Sequence, residues 1–323
     1  MIKLVCLLSI FIRASAFRVV GWFNGNKPDI QNIPWDYYTH IVTGHPTLYD
    51  NGTVECDLQD NITQTIVKLA HDKNKIVQWR DTFTYDDNVL FNKTYNYKVV
   101  NYLKSLPIAM KQCNIDGIEY DMEWGYKLLD KLGIILPYYS NLYTDFLSKV
   151  KKTVNTSIVS MDAGTPGCCC QGCGYPLEFL PWVNVTEFNN GAFDFMNIMS
   201  YHWNMYGNID RWKMDKYYYE TIWKFNLSKI NMAIPYFSMN ATGLKINSQP
   251  EWSSLSQSCP NVDPSINICN GLLFVGKNMN YELGKYAKQN FGGAFPWTLN
   301  YDSFENNNTL IDWFIKGVNE INT

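Results

Sequence analysis

The chain has 323 residues, 46 % of them hydrophobic, and a formal net charge of −3. That length and apolar content suffice for one large core and suit an α/β barrel; no Pro/Gly/Ser-rich linker, low-complexity tail or short repeat divides it. The mildly acidic balance argues against nucleic acid or an anionic membrane as partner.

Residues 1–16 read as a signal peptide. Lys3 supplies a positive start, Leu4 to Ile12 an apolar run, and Ala14-Ser15-Ala16 a small-residue cleavage site. The apolar run is too short to span a bilayer, so no membrane insertion is expected. Residues 17–323 are then a single secreted domain, and losing Lys3 and Arg13 moves the charge from −3 to −5. Asn-x-Ser/Thr sequons at Asn51, Asn61, Asn92, Asn155, Asn184, Asn226, Asn240 and Asn307 fit that compartment. So do the cysteines left after Cys6 departs, whose even number suggests disulfides of open connectivity. Cys259 and Cys269 flank one loop and are candidates for local pairing. The cluster Cys168-Cys169-Cys170-Gln-Gly-Cys173 reads as loop bracing rather than a metal site, because no histidine has complementary ligand spacing.

Short apolar runs then alternate with helical patterns. Arg18–Phe23 is the first expected strand and Tyr38–Thr43 the second. A helix follows near 57–71, with Ile62, Ile66, Val67 and Ala70 on one face. Lys75–Trp79 is the third strand. The helical pattern from Tyr95 to Cys113 contains Pro107, which predicts a break or kink. The fourth strand spans 115–122, followed by a helix over 138–150 with Pro137 in its first turn. Ser157–Asp162 and Phe195–Ser200 are the fifth and sixth strands. A helix near 214–225 precedes the seventh strand, Lys229–Pro235. A helix over 278–289, the eighth strand Gly292–Trp297 and a helix near 309–318 complete the chain. Eight strands apolar on both faces and alternating with helices predict a parallel (β/α)8 TIM barrel over an open doubly wound sheet, since no Gly-rich phosphate loop follows the first strand.

The fourth strand carries the chemistry. In Ile115-Asp-Gly-Ile-Glu-Tyr-Asp-Met-Glu-Trp124, residues Glu119, Asp121 and Glu123 are spaced by two and so share one face of a strand. Like charges there repel, and burying them requires protons. The arrangement reads as a proton-handling device at the C-terminal rim of a barrel, where active sites of this fold sit.

Asp116-Gly-Ile-Glu-Tyr-Asp121-Met-Glu123 resembles the Asp-Gly-x-Asp-x-Asp-x-Glu signature of glycoside hydrolase family 18, the chitinases and endo-β-N-acetylglucosaminidases. It departs at Glu119, where the family usually has Asp. Met199-Ser-Tyr201-His202 is similar to the family's Met-x-Tyr-Asp, with His202 in place of Asp. Gly292-Gly-Ala-Phe-Pro-Trp297 is similar to Gly-Gly-x-x-x-Trp. The family's Ser-x-Gly-Gly on strand three is absent; Gln78-Trp79-Arg80 stands near its place.

The resemblance implies Glu123 as general acid and then base, with Asp121 orienting the substrate acetamido group for attack on the anomeric carbon. Tyr201 donates to the acetamido oxygen in this scheme, and Trp297 is the floor under the sugar. Such substrate-assisted hydrolysis retains configuration and needs no second carboxylate nucleophile, metal or cofactor. Glu119, His202, Trp22 and Trp124 join Trp297 as substrate-binding candidates, and the changes at Glu119 and His202 imply a shifted pH optimum. The implied partner is chitin or another N-acetylglucosamine-containing glycan, handled by a monomer. Alternatives on the same residues are N-glycan cleavage, or a carbohydrate-binding lectin on a retired barrel. The 236–277 segment is short for the α+β insertion that many relatives carry between strands seven and eight, so a reduced or absent insertion and a shallow, open groove are expected.

Overall fold

The computed structural model describes residues 17–23, 30–81, 83, 93–121, 136–165, 181–200, 208–240, 259, 266–302 and 309–320. The expected signal peptide, the cysteines at 168–173 and the sequons at Asn92 and Asn307 lie outside these residues.

Eight strands form the barrel: β1 (Arg18–Trp22), β2 (His40–Val42), β3 (Ile76–Arg80), β4 (Gly117–Asp121), β5 (Ile158–Gly164), β6 (Phe195–Met199), β7 (Ile230–Pro235) and β8 (Gly293–Trp297). Every pairing is parallel, neighbours follow chain order, and β8 closes on β1. This is the (β/α)8 barrel that the alternation predicts.

The two-residue period of the strands divides each into two faces. Val19, Ile41, Val77, Trp79, Ile118, Tyr120, Met161 and Ile198 belong to the main core between strands and helices. Val20, Trp22, Val42, Phe195, Met199, Ala233 and Phe295 form a separate apolar cluster. Their alternation with the first set puts them on the opposite, inward face.

The helices α1 (Asn61–Asp72), α2 (Asn96–Gln112), α3 (Leu136–Val154), α4 (Val185–Asn189), α5 (Ile209–Lys216), α6 (Lys277–Asn290) and α7 (Leu310–Glu320) lie between or after the strands. Two expectations are corrected. Pro107 does not break α2, which runs through it with Tyr102, Leu106, Ala109 and Met110 buried on both sides of the proline. The lost amide bond is outweighed by that shared buried face. The helix expected near 214–225 starts earlier, at Ile209, because Asn208 caps it by accepting from the Asp210 amide; it passes into a π-helical turn, Tyr217–Ile222.

Between β7 and β8, the described residues form a three-stranded antiparallel sheet of two-residue strands, Met239–Asn240, Leu272–Leu273 and Ile268–Cys269. The Cys259–Cys269 disulfide staples its edge, which is the local pairing the loop suggests. The insertion is accordingly small. A second disulfide, Cys56–Cys113, ties the approach to α1 to the end of α2 across 57 residues. Among the described residues no helix is long and apolar enough to cross a membrane.

α6 and α7 cross on paired glycines. A Cβ at Gly284 would lie 2.1 Å from the Phe314 carbonyl oxygen, and one at Gly317 would lie 2.0 Å from that of Tyr281. Backbone atoms cannot yield as a flexible side chain can. Gly317→Ala is therefore expected to destabilise the protein by about 1–3 kcal/mol through overpacking, read as a lower urea midpoint at unchanged slope. An unchanged midpoint would show that the two helices can separate freely.

Candidate active site

The acidic motif begins with a structural residue. Asp116 Oδ2 accepts from the Val77 amide and faces His71 Nε2, both at 2.8 Å, tying the end of α1 and the start of β3 to β4. From Gly117 the alternation sends Ile118 and Tyr120 outward and Glu119 and Asp121 inward. Tyr120 ends in an outer hydrogen-bonded group, its hydroxyl 2.9 Å from that of Tyr102, which donates to Asp81.

Glu119 is completely buried inside the barrel. Its Oε1 accepts from Asn197 Nδ2 at 3.0 Å, and its Oε2 accepts from Ser160 Oγ. Gln78 Nε2 donates to the same Ser160 hydroxyl at 2.6 Å. Behind Asn197, Asn231 Nδ2 donates to Asn197 Oδ1 at 2.8 Å, and Arg18 Nε donates to Asn231 Oδ1 at 3.0 Å. Every donor along this chain points from the cation toward the carboxyl.

Asp162, on β5, is also buried and hydrogen-bonds Glu119. An ionised carboxylate only accepts, so a bond between two carboxyls requires a proton between them. Burial raises Glu119 to about 8, opposed by its bonds to Ser160, Asp162 and Asn197 and assisted by the charge of Asp121. Burial pushes Asp162 well above the usual carboxylate range, and the charges of Glu119 and Asp121 push it further. At the inner end His40, 2.8 Å from Thr39 Oγ1, is held neutral: burial and the Arg18 charge lower it to about 3.

Asp121 ends β4 as its half-buried residue, in register with Asp162 on β5. Across the mouth, Trp297 ends β8 and packs against Trp22 of β1, ring centroids 4.9 Å apart and planes at 57°. Trp22 is only 2 % exposed, so it backs Trp297 rather than offering an open face. The two rings join Val42, Thr43, His45 and Arg80 around a cavity of about 200 Å³. The mouth thus sets a carboxylate over buried, proton-sharing acids beside an aromatic-walled cavity.

The structure brings together Glu119, Asp121, Trp22 and Trp297 among the residues expected from sequence. Glu123, Trp124, Tyr201 and His202 lie outside the described residues. In sequence, Glu123 follows Asp121 by two positions and Tyr201 follows Met199 by two. Sequence reasoning missed Asp162, Ser160 and Asn197 as members of the acid cluster. The available signal was spacing: Ser160 and Asp162 are two apart on a strand predicted beside the acidic one. Among the described residues no group of three or more His, Cys, Asp or Glu side chains is placed to hold a metal ion.

The buried acids make stability depend on pH with a definite sign. Glu119 binds its proton more tightly folded than unfolded, so raising pH toward and through about 8 removes stability. His40 acts oppositely, because its depressed value costs stability as pH falls below the unfolded imidazole range. Asp215, raised to about 6 mainly by burial, adds to the Glu119 trend only at lower pH. Between about pH 6.5 and 8.5 Glu119 and Asp162, both raised by burial, act in the same direction and outweigh the others. Unfolding free energy from urea titrations is expected to fall across that window, and Glu119→Gln to flatten the fall. Equal slopes in the two proteins would mean that Glu119 carries no extra proton.

No family model matches the sequence, and no curated protein matches it. Solved structures do. A family 18 chitinase, ChiB, from Flavobacterium johnsoniae superposes with a TM-score of 0.73 at 17 % identity, covering 95 % of this chain and 96 % of that one. The Group IV chitinase of Ostrinia furnacalis, solved with allosamidin, gives 0.69 at 12 % identity, covering 94 % and 99 %. The spore cortex-lytic enzyme SleL of Bacillus cereus gives 0.63 at 14 % identity, covering 94 % of this chain and 74 % of that one. The chain has the barrel fold of the family 18 chitinases.

Proposed function

We propose that the protein is a secreted, chitinase-type glycoside hydrolase that cleaves β-1,4-linked N-acetylglucosamine chains with retention of configuration. The observation that carries this reading is Asp121 at the C-terminal end of β4, above a buried acid pair and opposite Trp297. In this reading Glu123 protonates the glycosidic oxygen and then activates water, as a general acid–base group. Asp121 orients the substrate acetamido N–H and offsets positive charge on the cyclic intermediate. Glu119 and Asp162 share a proton beneath it, so the local negative charge stays below that of three free carboxylates. Tyr201 donates to the acetamido oxygen, and Trp297 stacks against the sugar. The chitinase titles among the structural neighbours support this substrate class.

Removal of residues 1–16 and entry into the secretory route belong to the same reading. The two disulfides support an oxidising compartment. Asn51, Asn61, Asn155 and Asn226 are exposed and open to glycosylation there, whereas Asn184 Nδ2 is engaged with Asn141.

The test is mass spectrometry of products from chito-oligosaccharides and, separately, from a high-mannose glycopeptide. Wild-type protein is expected to shorten the chito-oligosaccharides, releasing β-anomers first by proton NMR. Glu123→Gln is expected to lower kcat by about 10²–10⁴, the usual worth of a positioned general acid–base group. Cleavage of the glycopeptide alone would move the protein to the N-glycan-trimming class. Binding without cleavage, equal in both proteins, would make it a lectin.

A further inference from the structure

Arg80 ends β3 on the same face as Gln78, whose side chain reaches Ser160 inside the barrel. Its guanidinium therefore enters the mouth, where it lines the cavity walled by Trp22 and Trp297. Arg80 Nε is enclosed there with no hydrogen-bond partner, and among the described residues no carboxylate pairs with the guanidinium. A buried or half-buried arginine is normally paired, because an unpaired charge taken from water is costly. Trp22, which also lines the cavity, buries its Nε1 with no hydrogen-bond acceptor among the described residues. Among the described residues the carboxylate lining the cavity is Asp60, which is occupied at the start of α1, accepting from the Thr63 amide and hydroxyl. The cavity thus offers donors and a positive charge, and its ligand must supply acceptors.

We propose that Arg80 reads an anionic substituent on the glycan, a carboxylate or a sulfate ester, carried by a sugar seated beside Trp297. This rests on the hydrolase reading for its substrate class. The guanidinium can meet either anion through two parallel N–H donors, a geometry that a neutral hydroxyl does not reward equally. The preferred substrate is then an acidic derivative of a β-linked N-acetylglucosamine chain rather than plain chitin.

The experiment compares three oligosaccharides of equal length: neutral, carboxyl-bearing and 6-O-sulfated. Both kinetics and calorimetric binding are measured, the latter in Glu123→Gln protein so that substrate survives. Wild type is expected to favour at least one acidic oligosaccharide by about tenfold in kcat/KM, mostly through KM, as one charge-assisted hydrogen bond allows. In Arg80→Gln the acidic-to-neutral ratio is expected to fall to near one, with Arg80→Lys intermediate. Added salt is expected to erode the wild-type preference, a reading that needs no variant. The two acidic arms separate a carboxylate from a sulfate as the recognised group. Equal handling of neutral and acidic chains by wild type, or equal losses on all three in Arg80→Gln, would overturn the proposal and leave the hydrolase reading standing. Arg80-dependent binding of an acidic chain without any cleavage would do the reverse.

Discussion

Everything at this site depends on burying carboxyl groups in the middle of a barrel. An isolated carboxylate there is prohibitive, so the interior supplies a directed set of donors. Arg18 donates to Asn231, Asn231 to Asn197, and Asn197 to Glu119, while Gln78 and Ser160 close the other side. Because every member points the same way, each polarises the next. Where amides and hydroxyls fall short, burial raises both Glu119 and Asp162, so that protonation relieves the charge.

That arrangement resolves what the extra methylene of Glu119 does. In the family pattern an Asp stands there, and a longer side chain must either crowd Asp121 or turn away. It turns toward β5 and β6, where Ser160, Asp162 and Asn197 receive it. Asp121 remains at the rim, half-buried and in register with Asp162. Glu119 and the strand-five acid are thus two parts of one packing solution.

The fold was legible because barrel strands here obey a simple period. Ile118 and Tyr120 alternate with Glu119 and Asp121, and the buried runs on β6 and β7 announce strands covered on both faces. What stayed hidden was set by tertiary packing. Pro107 reads as a breaker in isolation, yet buried neighbours carry α2 past it. The π-helical turn at 217–222 and the two-residue strands have too few residues to impose a period. Glu123, Tyr201 and His202 lie outside the described residues; of this site, the positions of Glu119, Asp121 and Trp297 on their strands were legible. Its supporting polar residues were not, since Asp162 and Asn197 acquire meaning only when β5 and β6 are placed beside β4.

Arg80 stands apart from the other interior charges. Arg18 and Glu119 are linked through two asparagines, so a relay of hydrogen bonds spaces the two charges on that side of the barrel. Arg80 is the register neighbour of Glu119 on β3, yet Glu119 has already given its oxygens to Ser160 and Asn197. Asp60, which lines the cavity, is held by the cap of α1. Among the described residues, the barrel therefore engages the Glu119 oxygens through Ser160 and Asn197 on the acidic side and leaves the Arg80 guanidinium without a carboxylate partner on the aromatic side. A protein interior tolerates that asymmetry when something from outside completes it. In a cleft flanked by Trp22 and Trp297, the chemistry that completes it is a negatively charged group borne on a flat-faced sugar.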